Sequence, residues 1–173
     1  IWTYLPYGPF KTYVGFKKWL KSFCLNKDPF FYAIYVKKYK QYCGIASYLR
    51  IKPEHGSIEV GHINYSPILQ NTTGGTEAMH LMMKNAFETL GNRRYEWKCN
   101  NLNLSSKSAA KRLGFKFEGI FRQMLIVKGR NRDSAWFSII DKEWKKLKKG
   151  YIKFLKPTNF DKKYKQFKKL KFD

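Results

Sequence analysis

The stretch Gln70-Asn71-Thr72-Thr73-Gly74-Gly75 lies between a segment with the pattern of a β-strand and a segment with the pattern of an α-helix. Its small residues let the backbone turn tightly and bring N–H groups towards a ligand. The first N–H groups of the helix are unpaired and lie at the positive end of its dipole, which favours a bound phosphate. Helix capping explains the same residues equally well. The stretch is neither a P-loop nor a dinucleotide-binding glycine motif.

The segments on either side alternate between the periodicities of strands and helices. Apolar residues at helical spacing precede three strands, which we predict at residues 30–36, 42–51 and 57–65. After the stretch we predict a helix at 76–90, a strand at 94–99, a helix at 103–113, and strands at 115–127 and 134–140 around a turn at 128–132. Antiparallel strands come first, and strand–helix crossovers, which favour parallel pairing, follow. The sequence therefore predicts a mixed α/β (α+β) fold with one central, mostly antiparallel sheet flanked by helices.

The composition suits a single domain with an unusually basic surface. The chain has 173 residues, 43% of them hydrophobic, so we expect a folded core rather than disorder of the whole chain. A formal net charge of +23 attracts phosphates, nucleic acids and anionic membrane surfaces. Scattered lysines that keep the surface solvated account for the same charge, so contact with RNA or a ribosome is one of two interpretations.

Basic residues are most dense near the carboxyl end. Residues 142–173 hold 13 of the 35 lysines and arginines, interleaved with aromatic and leucine side chains. A basic amphipathic segment of this kind binds membranes or RNA in some proteins, but a proline interrupts it and no long apolar face forms. We therefore predict a domain at residues 1–141, and a basic helix and tail at residues 142–173 that dock on the same domain.

The cysteines and histidines predict neither disulfides nor a metal site. Cys24, Cys43 and Cys99 are odd in number and lack CxxC spacing, and the three histidines complete no ligand motif with them. No apolar run has the length of a membrane helix, and no signal peptide is recognised. We expect a cytoplasmic protein with no membrane partner and no metal. No pattern in the sequence encodes an oligomeric state.

The opening stretch resembles the acetyl-CoA loop of the GNAT superfamily of N-acetyltransferases, whose pattern is Gln/Arg-x-x-Gly-x-Gly/Ala. Gln70 and Gly75 match the first and last positions, and Thr73 stands where the middle glycine is usual. The resemblance implies that the pyrophosphate of coenzyme A meets backbone amides near Thr72 to Thr76. The residues that it assigns to cofactor binding are Gln70, Thr72, Thr73, Gly74, Gly75 and Thr76.

The resemblance covers most of the chain and is to the branch that includes the ribosomal-protein N-terminal acetyltransferases. The stretches that carry it are 2–10 (WTYLPYGPF), 58–63 (IEVGHI), 76–78 (TEA), 93–100 (RRYEWKCN), 103–106 (NLSS), 112–115 (RLGF), 117–119 (FEG) and 129–133 (GRNRD). Several motifs in order are more specific than any one of them. The resemblance implies that residues 1–141 form a GNAT N-acetyltransferase domain. Its sheet would splay at the acetyl-CoA site, between the strands at 57–65 and 94–99.

The chemistry requires alignment of donor and acceptor, removal of an ammonium proton and protonation of the departing thiolate. Glu59 lies eleven positions before Gln70, which resembles the spacing of the general-base glutamate in some superfamily members. A carboxylate beside an apolar cleft has a raised pKa that suits this role, whereas a solvent-facing strand residue is the alternative. His62 and Glu96 are further candidates. Strict alternation places His62 on the opposite strand face from Glu59 unless a bulge intervenes.

Asn103 and Ser106 resemble the Asn-x-x-Ser of this branch. By that resemblance Asn103 contacts the pantetheine arm, and Ser106 protonates or orients the thiolate. Helix capping explains both residues as well. The tyrosine acid that many superfamily members carry on this helix is absent from residues 105–113.

Three further residues of the predicted strands invite a catalytic interpretation. No group that would activate Cys99 is evident, so we predict a small core residue rather than a nucleophile. Trp97 and Trp136 are predicted to pack or to form a wall of the substrate site.

The sequence thus predicts an acyltransferase that passes acetyl from acetyl-CoA directly to an amine. By resemblance the acceptor is a protein N-terminal α-amino group, and an open groove near Glu59 would favour it. A closed pocket there would favour a small-molecule amine or antibiotic. A non-catalytic basic protein that binds RNA or ribosomes on the same fold is a further alternative.

Overall fold

The computed structural model describes residues 2–163 and 165–172. Within them, helices and strands follow one another in the predicted order. Their bounds are α1 Tyr13–Phe23, β1 Phe30–Val36, β2 Gln41–Lys52, β3 Ser57–Tyr65, α2 Thr73–Lys84, β4 Arg94–Asn100, α3 Leu104–Arg112, β5 Lys116–Val127, β6 Arg130–Ile140 and α4 Asp141–Leu155. A π-helical turn, Asn85–Thr89, continues α2. No helix among these residues is long and apolar enough to cross a membrane.

The strands form one sheet in the order β1-β2-β3-β4-β6-β5. β3 and β4, which the α2 crossover connects, run parallel, and the other neighbours are antiparallel. The predicted fold class, a mixed and mostly antiparallel sheet flanked by helices, is confirmed.

The sheet opens between β3 and β4. These strands pair only from Ser57 opposite Arg94 to Val60 opposite Trp97, although β3 continues to Tyr65 and β4 to Asn100. The pairing ends immediately before a β-bulge at His62, which has a φ of 50° and accompanies a register shift between β2 and β3. A bulge bends its strand and increases the local twist, which explains why β3 leaves its neighbour here.

The core lies on one face of the sheet, beneath α2, α3 and α4. In β4, Tyr95, Trp97 and Cys99 are buried on this face, whereas Arg94, Glu96 and Lys98 point to the other. Tyr151 of α4 is fully buried and donates a hydrogen bond of 2.8 Å to the Leu113 carbonyl. Near the carboxyl end, the Phe172 ring lies 5.3 Å from the Tyr151 ring.

Two elements start three or four residues earlier than predicted, for local reasons. α2 begins at Thr73 rather than residue 76, because Thr72 is the N-cap and its hydroxyl accepts from Gly75 N. The predicted five-residue turn at 128–132 is a two-residue hairpin turn at Lys128 and Gly129, with φ of 51° and 72°. Positive φ at both turn residues matches the twist of the flanking strands, so β6 starts at Arg130 instead of residue 134.

Candidate active site

A cavity of about 260 Å³ opens where β3 and β4 diverge. Its lining comes from residues 4–6, 49–50, 59–63 and 97–100, from Asn103 and Ser106, and from the β5–β6 hairpin. Glu59, Asn103 and Ser106, which sequence analysis singled out separately, therefore lie around one cavity. The loop residues 70–76 are not part of its lining.

Glu59 lies on the sheet face opposite the core and is only 4% exposed. Its Oε2 lies 2.8 Å from Arg50 Nη1 and 2.9 Å from Lys98 Nζ. Burial raises the pKa of the Glu59 carboxyl, while Lys98 and Arg50 oppose that rise. The alternative of a solvent-facing strand residue is therefore wrong.

Two β-bulges direct side chains towards Glu59. Arg50 has a φ of 48°, and the carboxylate of Asp28 accepts from the N–H groups of Arg50 and Ile51 at 3.0 and 3.1 Å. The second bulge is at His62 and breaks the strand alternation. His62 consequently lines the same cavity as Glu59, which strict alternation excludes.

His62 is neutral at neutral pH. Its Nδ1 lies 3.1 Å from the Tyr7 hydroxyl, which also accepts from Asn64 Nδ2 at 3.4 Å. Burial lowers the pKa of His62 to about 4, with smaller contributions from Arg50 and Arg132. An imidazole with so low a pKa is a weak proton acceptor.

Lys98 connects two carboxylates beneath the cavity. Its side chain is 6% exposed, and its Nζ lies 2.7 Å from Glu96 Oε2 as well as 2.9 Å from Glu59 Oε2. The ammonium also lies 3.8 Å from the centroid of the Trp136 ring. Trp136 thus supports Lys98, and Glu96 is occupied by ion pairs with Lys98 and Arg94.

Asn103 and Ser106 occupy the first turn of α3. Asn103 is the N-cap, and its Oδ1 accepts from Ser106 N at 3.1 Å, so capping accounts for its position. The Ser106 hydroxyl accepts from Trp97 Nε1 at 3.0 Å and can itself donate, with the Cys99 thiol as a neighbouring partner. Nearby Cys99 is buried, and burial raises the pKa of its thiol. A protonated thiol is a poor nucleophile, in line with the prediction of a core residue.

The loop before α2 is held by its own residues. Gln70 Nε2 donates to the Tyr65 carbonyl at 2.8 Å, and the Tyr65 hydroxyl donates to the Gly75 carbonyl at 3.0 Å. Thr72 caps the helix through Gly75 N. The N–H groups of Thr73 and Gly74 meet no acceptor among residues 2–163 and 165–172. Two amides at the start of α2 are therefore free for a ligand.

The comparison with known proteins decides the family. A sequence model described as "Acetyltransferase (GNAT) domain" matches residues 1–116. The chain belongs to the GNAT acetyltransferase family. GNAT enzymes transfer acetyl groups and use acetyl-CoA as the co-substrate, so this chain is an acyltransferase. A search of curated proteins finds no match.

Solved structures agree with this assignment. A GCN5-related N-acetyltransferase from Brucella melitensis is 45% identical, with a TM-score of 0.95 over 98% of this chain and 76% of that chain. A Chromobacterium violaceum protein named as a GNAT-family acetyltransferase is also 45% identical, with a TM-score of 0.79 over 83% of this chain and 72% of that chain. A spermidine N-acetyltransferase from Vibrio cholerae has a TM-score of 0.64 at 15% identity, covering 82% of this chain and 83% of that chain, which shows a shared fold alone.

The local structure fits the co-substrate of a GNAT enzyme. Thr73 and Gly74 present free amides at the start of a 12-residue helix, where a phosphate is favoured. Gly75 packs against Tyr65 so closely that an added Cβ would lie 2.9 Å from Tyr65 Cε2. Within the described part of the chain, no group of three or more His, Cys, Asp or Glu is placed to hold a metal.

Sequence analysis missed three cavity residues, Arg50, Lys98 and Arg132. The sequence does indicate the side of the sheet on which Lys98 lies, because apolar residues in β4 alternate with Arg94, Glu96 and Lys98. Arg50 reaches Glu59 only because of a bulge. Arg132 lies in β6, whereas the sequence predicts a turn there.

Proposed function

We propose that this GNAT enzyme transfers acetyl from acetyl-CoA directly to the α-amino group at the N-terminus of a protein. The observation that supports it most is the shared cavity: the Glu59 carboxylate and the Ser106 hydroxyl line one space where β3 and β4 part. One group is suited to take a proton and the other to give one. The thioester of acetyl-CoA supplies the activated acetyl group.

We propose that the loop and α3 hold the co-substrate. The free amides of Thr73 and Gly74 would bind the pyrophosphate, with Thr72, Gly75 and Thr76 completing the turn. Gln70 would act by fixing the loop through the Tyr65 carbonyl, because its amide donates there. Asn103 lines the cavity and would contact the pantetheine arm.

In the proposed reaction the amine nitrogen forms a bond to the acetyl carbon and the bond from that carbon to sulfur breaks. Glu59 would accept the proton that the amine loses, directly or through water. Ser106 would turn its hydrogen from Cys99 to the leaving sulfur, while its oxygen keeps the hydrogen bond from Trp97. Lys98 and Arg50 would hold the Glu59 carboxylate in place.

The charges around the cavity favour an α-amino acceptor. Arg50, Lys98 and Arg132 line it, and cations oppose the binding of a further ammonium. An α-amino group has a pKa of about 8, compared with about 10.4 for a lysine side chain, so far more of it is neutral at physiological pH. A weak base such as Glu59 then suffices.

The size of the cavity supports the same choice. Sites that enclose a whole drug-sized ligand have volumes of about 300–1,000 Å³. The present cavity has a volume of about 260 Å³, which suits the end of a peptide better than an antibiotic.

A Vibrio cholerae protein named provisionally as a ribosomal-protein-serine acetyltransferase has the same fold, with a TM-score of 0.58 at 19% identity.

Three broader expectations are also kept as proposals. Residues 1–141 would form the catalytic domain, with 142–173 docked on it, which the contact between Phe172 and Tyr151 supports. The net charge of +23 supports contact with a ribosome or RNA. The free cysteines Cys24, Cys43 and Cys99 fit a reducing compartment such as the cytoplasm.

The test uses acetyl-CoA and peptides that differ only in their amines. One peptide has a free α-amino group, one has this group blocked, and one is blocked but carries a lysine; an aminoglycoside and spermidine complete the series. We expect release of free thiol, and a mass increase of one acetyl group, with the first peptide only. Transfer confined to the lysine peptide or the small amines would contradict the proposal.

A further inference from the structure

Arg132 is the cavity cation that has no carboxylate partner. It lies on β6, is half-buried, and its Nε donates to Ser134 Oγ at 3.1 Å. The other two cations are paired, Arg50 with Glu59, and Lys98 with Glu59 and Glu96. Within residues 2–163 and 165–172, Arg132 forms no ion pair.

The cavity therefore carries an excess of positive charge. Three cations and a single carboxylate line it, and His62 is neutral. Glu59 is shared by two of the cations and does not reach the third within an ion-pair distance. A half-buried guanidinium without an anion is costly, and its planar set of donors suits a carboxylate in two-point contact.

Arg132 lies on the same face of the sheet as Glu59. In β6 the side chains of Arg132 and Ser134 share the sheet face of Glu59, because Ser134 lies opposite Asn100 on the face that also carries Lys98. Burial lowers the pKa of Arg132, and Cys99 and Glu59 are the groups that counter this. The guanidinium thus lies in the same cavity as Glu59, where the strands splay.

We propose that Arg132 forms an anion subsite that binds a carboxylate carried by the acceptor. This proposal rests on the proposed function, and it narrows the acceptor to protein N-termini with Asp or Glu at the first or second position. Polyamines and basic N-termini are disfavoured, because they bring like charges to Arg50, Lys98 and Arg132.

The test compares two peptides that begin with Ser-Glu and Ser-Gln. Their remaining residues are identical and have uncharged side chains, and both peptides are amidated at the carboxyl end. We expect the Glu peptide to have the lower KM by about tenfold or more, as for a charge-assisted hydrogen bond. Arg132→Gln should raise the KM of the Glu peptide by a similar factor. The KM of the Gln peptide should change much less than that of the Glu peptide, and the KM of acetyl-CoA should not change.

Two variants control for folding and for charge alone. Arg132→Lys keeps the positive charge and should retain part of the preference, and its thermal unfolding should match that of Arg132→Gln. Arg130→Gln removes an exposed arginine from the same strand and should leave the preference intact.

Each other outcome has a definite meaning. Turnover with equal KM for both peptides, or an effect of Arg132→Gln on acetyl-CoA alone, overturns the subsite and leaves the proposed function standing. No transfer to any peptide overturns both. Preferred acetylation of free glutamate over either peptide supports the carboxylate subsite but overturns its assignment to a protein N-terminus.

Discussion

Lys98 Nζ lies 2.9 Å from Glu59 Oε2, and both side chains are almost fully buried, at 6% and 4% exposure. The two residues come from the neighbouring parallel strands β3 and β4. Lys98 also contacts Glu96 at 2.7 Å, so a single ammonium balances two carboxylates. Without Lys98, Glu59 keeps only Arg50 and Glu96 keeps only Arg94, and a buried carboxylate that loses one of its cations is costly to keep charged.

We therefore expect Lys98→Met to destabilise the protein by about 3 kcal/mol, the scale found when one member of a buried ion pair is removed. Met keeps most of the side-chain volume but leaves Glu59 with Arg50 only. The measurement is the free energy of unfolding from urea titration at pH 7. Acetyl transfer should fall as well, because Lys98 no longer holds the Glu59 carboxylate in place.

Lys116→Met is the matched control. Lys116 pairs with Glu143 but is 74% exposed, so its loss should cost no more than about 1 kcal/mol. Equal destabilisation by the two variants would show that the Lys98 pair behaves as a surface contact and would contradict the prediction.

Thr73→Pro should weaken acetyl-CoA binding without unfolding the protein. Thr73 is the first residue of α2, where proline is well tolerated, and the preceding Thr72 is extended, as a residue before proline prefers. The only polar group lost from the backbone is a free N–H. Loss of one hydrogen bond to a phosphate should lower the affinity by about 10- to 100-fold, measured by calorimetry.

Thr73→Ala keeps the N–H group and removes the same hydroxyl, so it should bind acetyl-CoA as the wild-type chain does. The two variants should have similar unfolding temperatures. Equal affinities for Thr73→Pro and Thr73→Ala would show that this amide does not contact the co-substrate.

The sequence predicted the elements well because their signals are local. The hydrophobic alternation of residues 57–65 and the helical spacing after Gly75 are readable from near neighbours. The crossover between them predicted the parallel pair and hence the mixed sheet. Glu59 was a candidate because of its spacing from Gln70 and Ser106 because of its resemblance to an Asn-x-x-Ser motif, and both line one cavity in the structure.

Local sequence patterns do not predict which side chains lie near Glu59. Arg50 and His62 face the cavity because each sits in a bulge with positive φ, and neither is a glycine that would have marked it. Asp28 holds the bulge at Arg50 from 22 residues away in sequence. Such contacts depend on the assembled sheet, whereas periodicity reports only on neighbouring residues.

His62 should make the protein less stable as the pH falls from 6.5 to 4. The pKa of His62 is about 4 in the folded protein and near 6.5 when unfolded, so the unfolded chain binds the extra proton in this window. Its contribution is complete above pH 6.5 and is lost progressively below it. The loss amounts to about 3 kcal/mol as an upper bound. Urea titrations at pH 7, 6, 5 and 4.5 measure it.

His62→Asn removes this titration and suits the positive φ of the site. Its free energy of unfolding should be lower at pH 7, since the contact with Tyr7 is lost. The dependence on pH should nevertheless be flatter than that of the wild-type chain. Parallel curves for the two proteins would show that His62 titrates normally in the folded state.

Gly74→Ala and Gly75→Ala should have opposite effects on stability, although the two glycines are adjacent in the first turn of α2. At Gly74 the nearest atom to an added Cβ is Leu69 Cδ1 at 3.5 Å, an ordinary contact. Alanine has the higher helix propensity, so Gly74→Ala should stabilise the protein by up to about 1 kcal/mol. Thermal unfolding, or urea titration, resolves a difference of this size.

At Gly75 an added Cβ would lie 2.9 Å from Tyr65 Cε2 and 3.1 Å from the Leu69 carbonyl oxygen. The Tyr65 ring cannot move aside freely, because its hydroxyl is bonded to the Gly75 carbonyl. Gly75→Ala should therefore cost about 1–3 kcal/mol, as overpacking does, and should also weaken acetyl-CoA binding by displacing the loop. Stabilisation by both substitutions would mean that the loop yields easily at Tyr65. Close packing would then not explain why glycine occupies position 75, the last position of the acetyl-CoA loop motif.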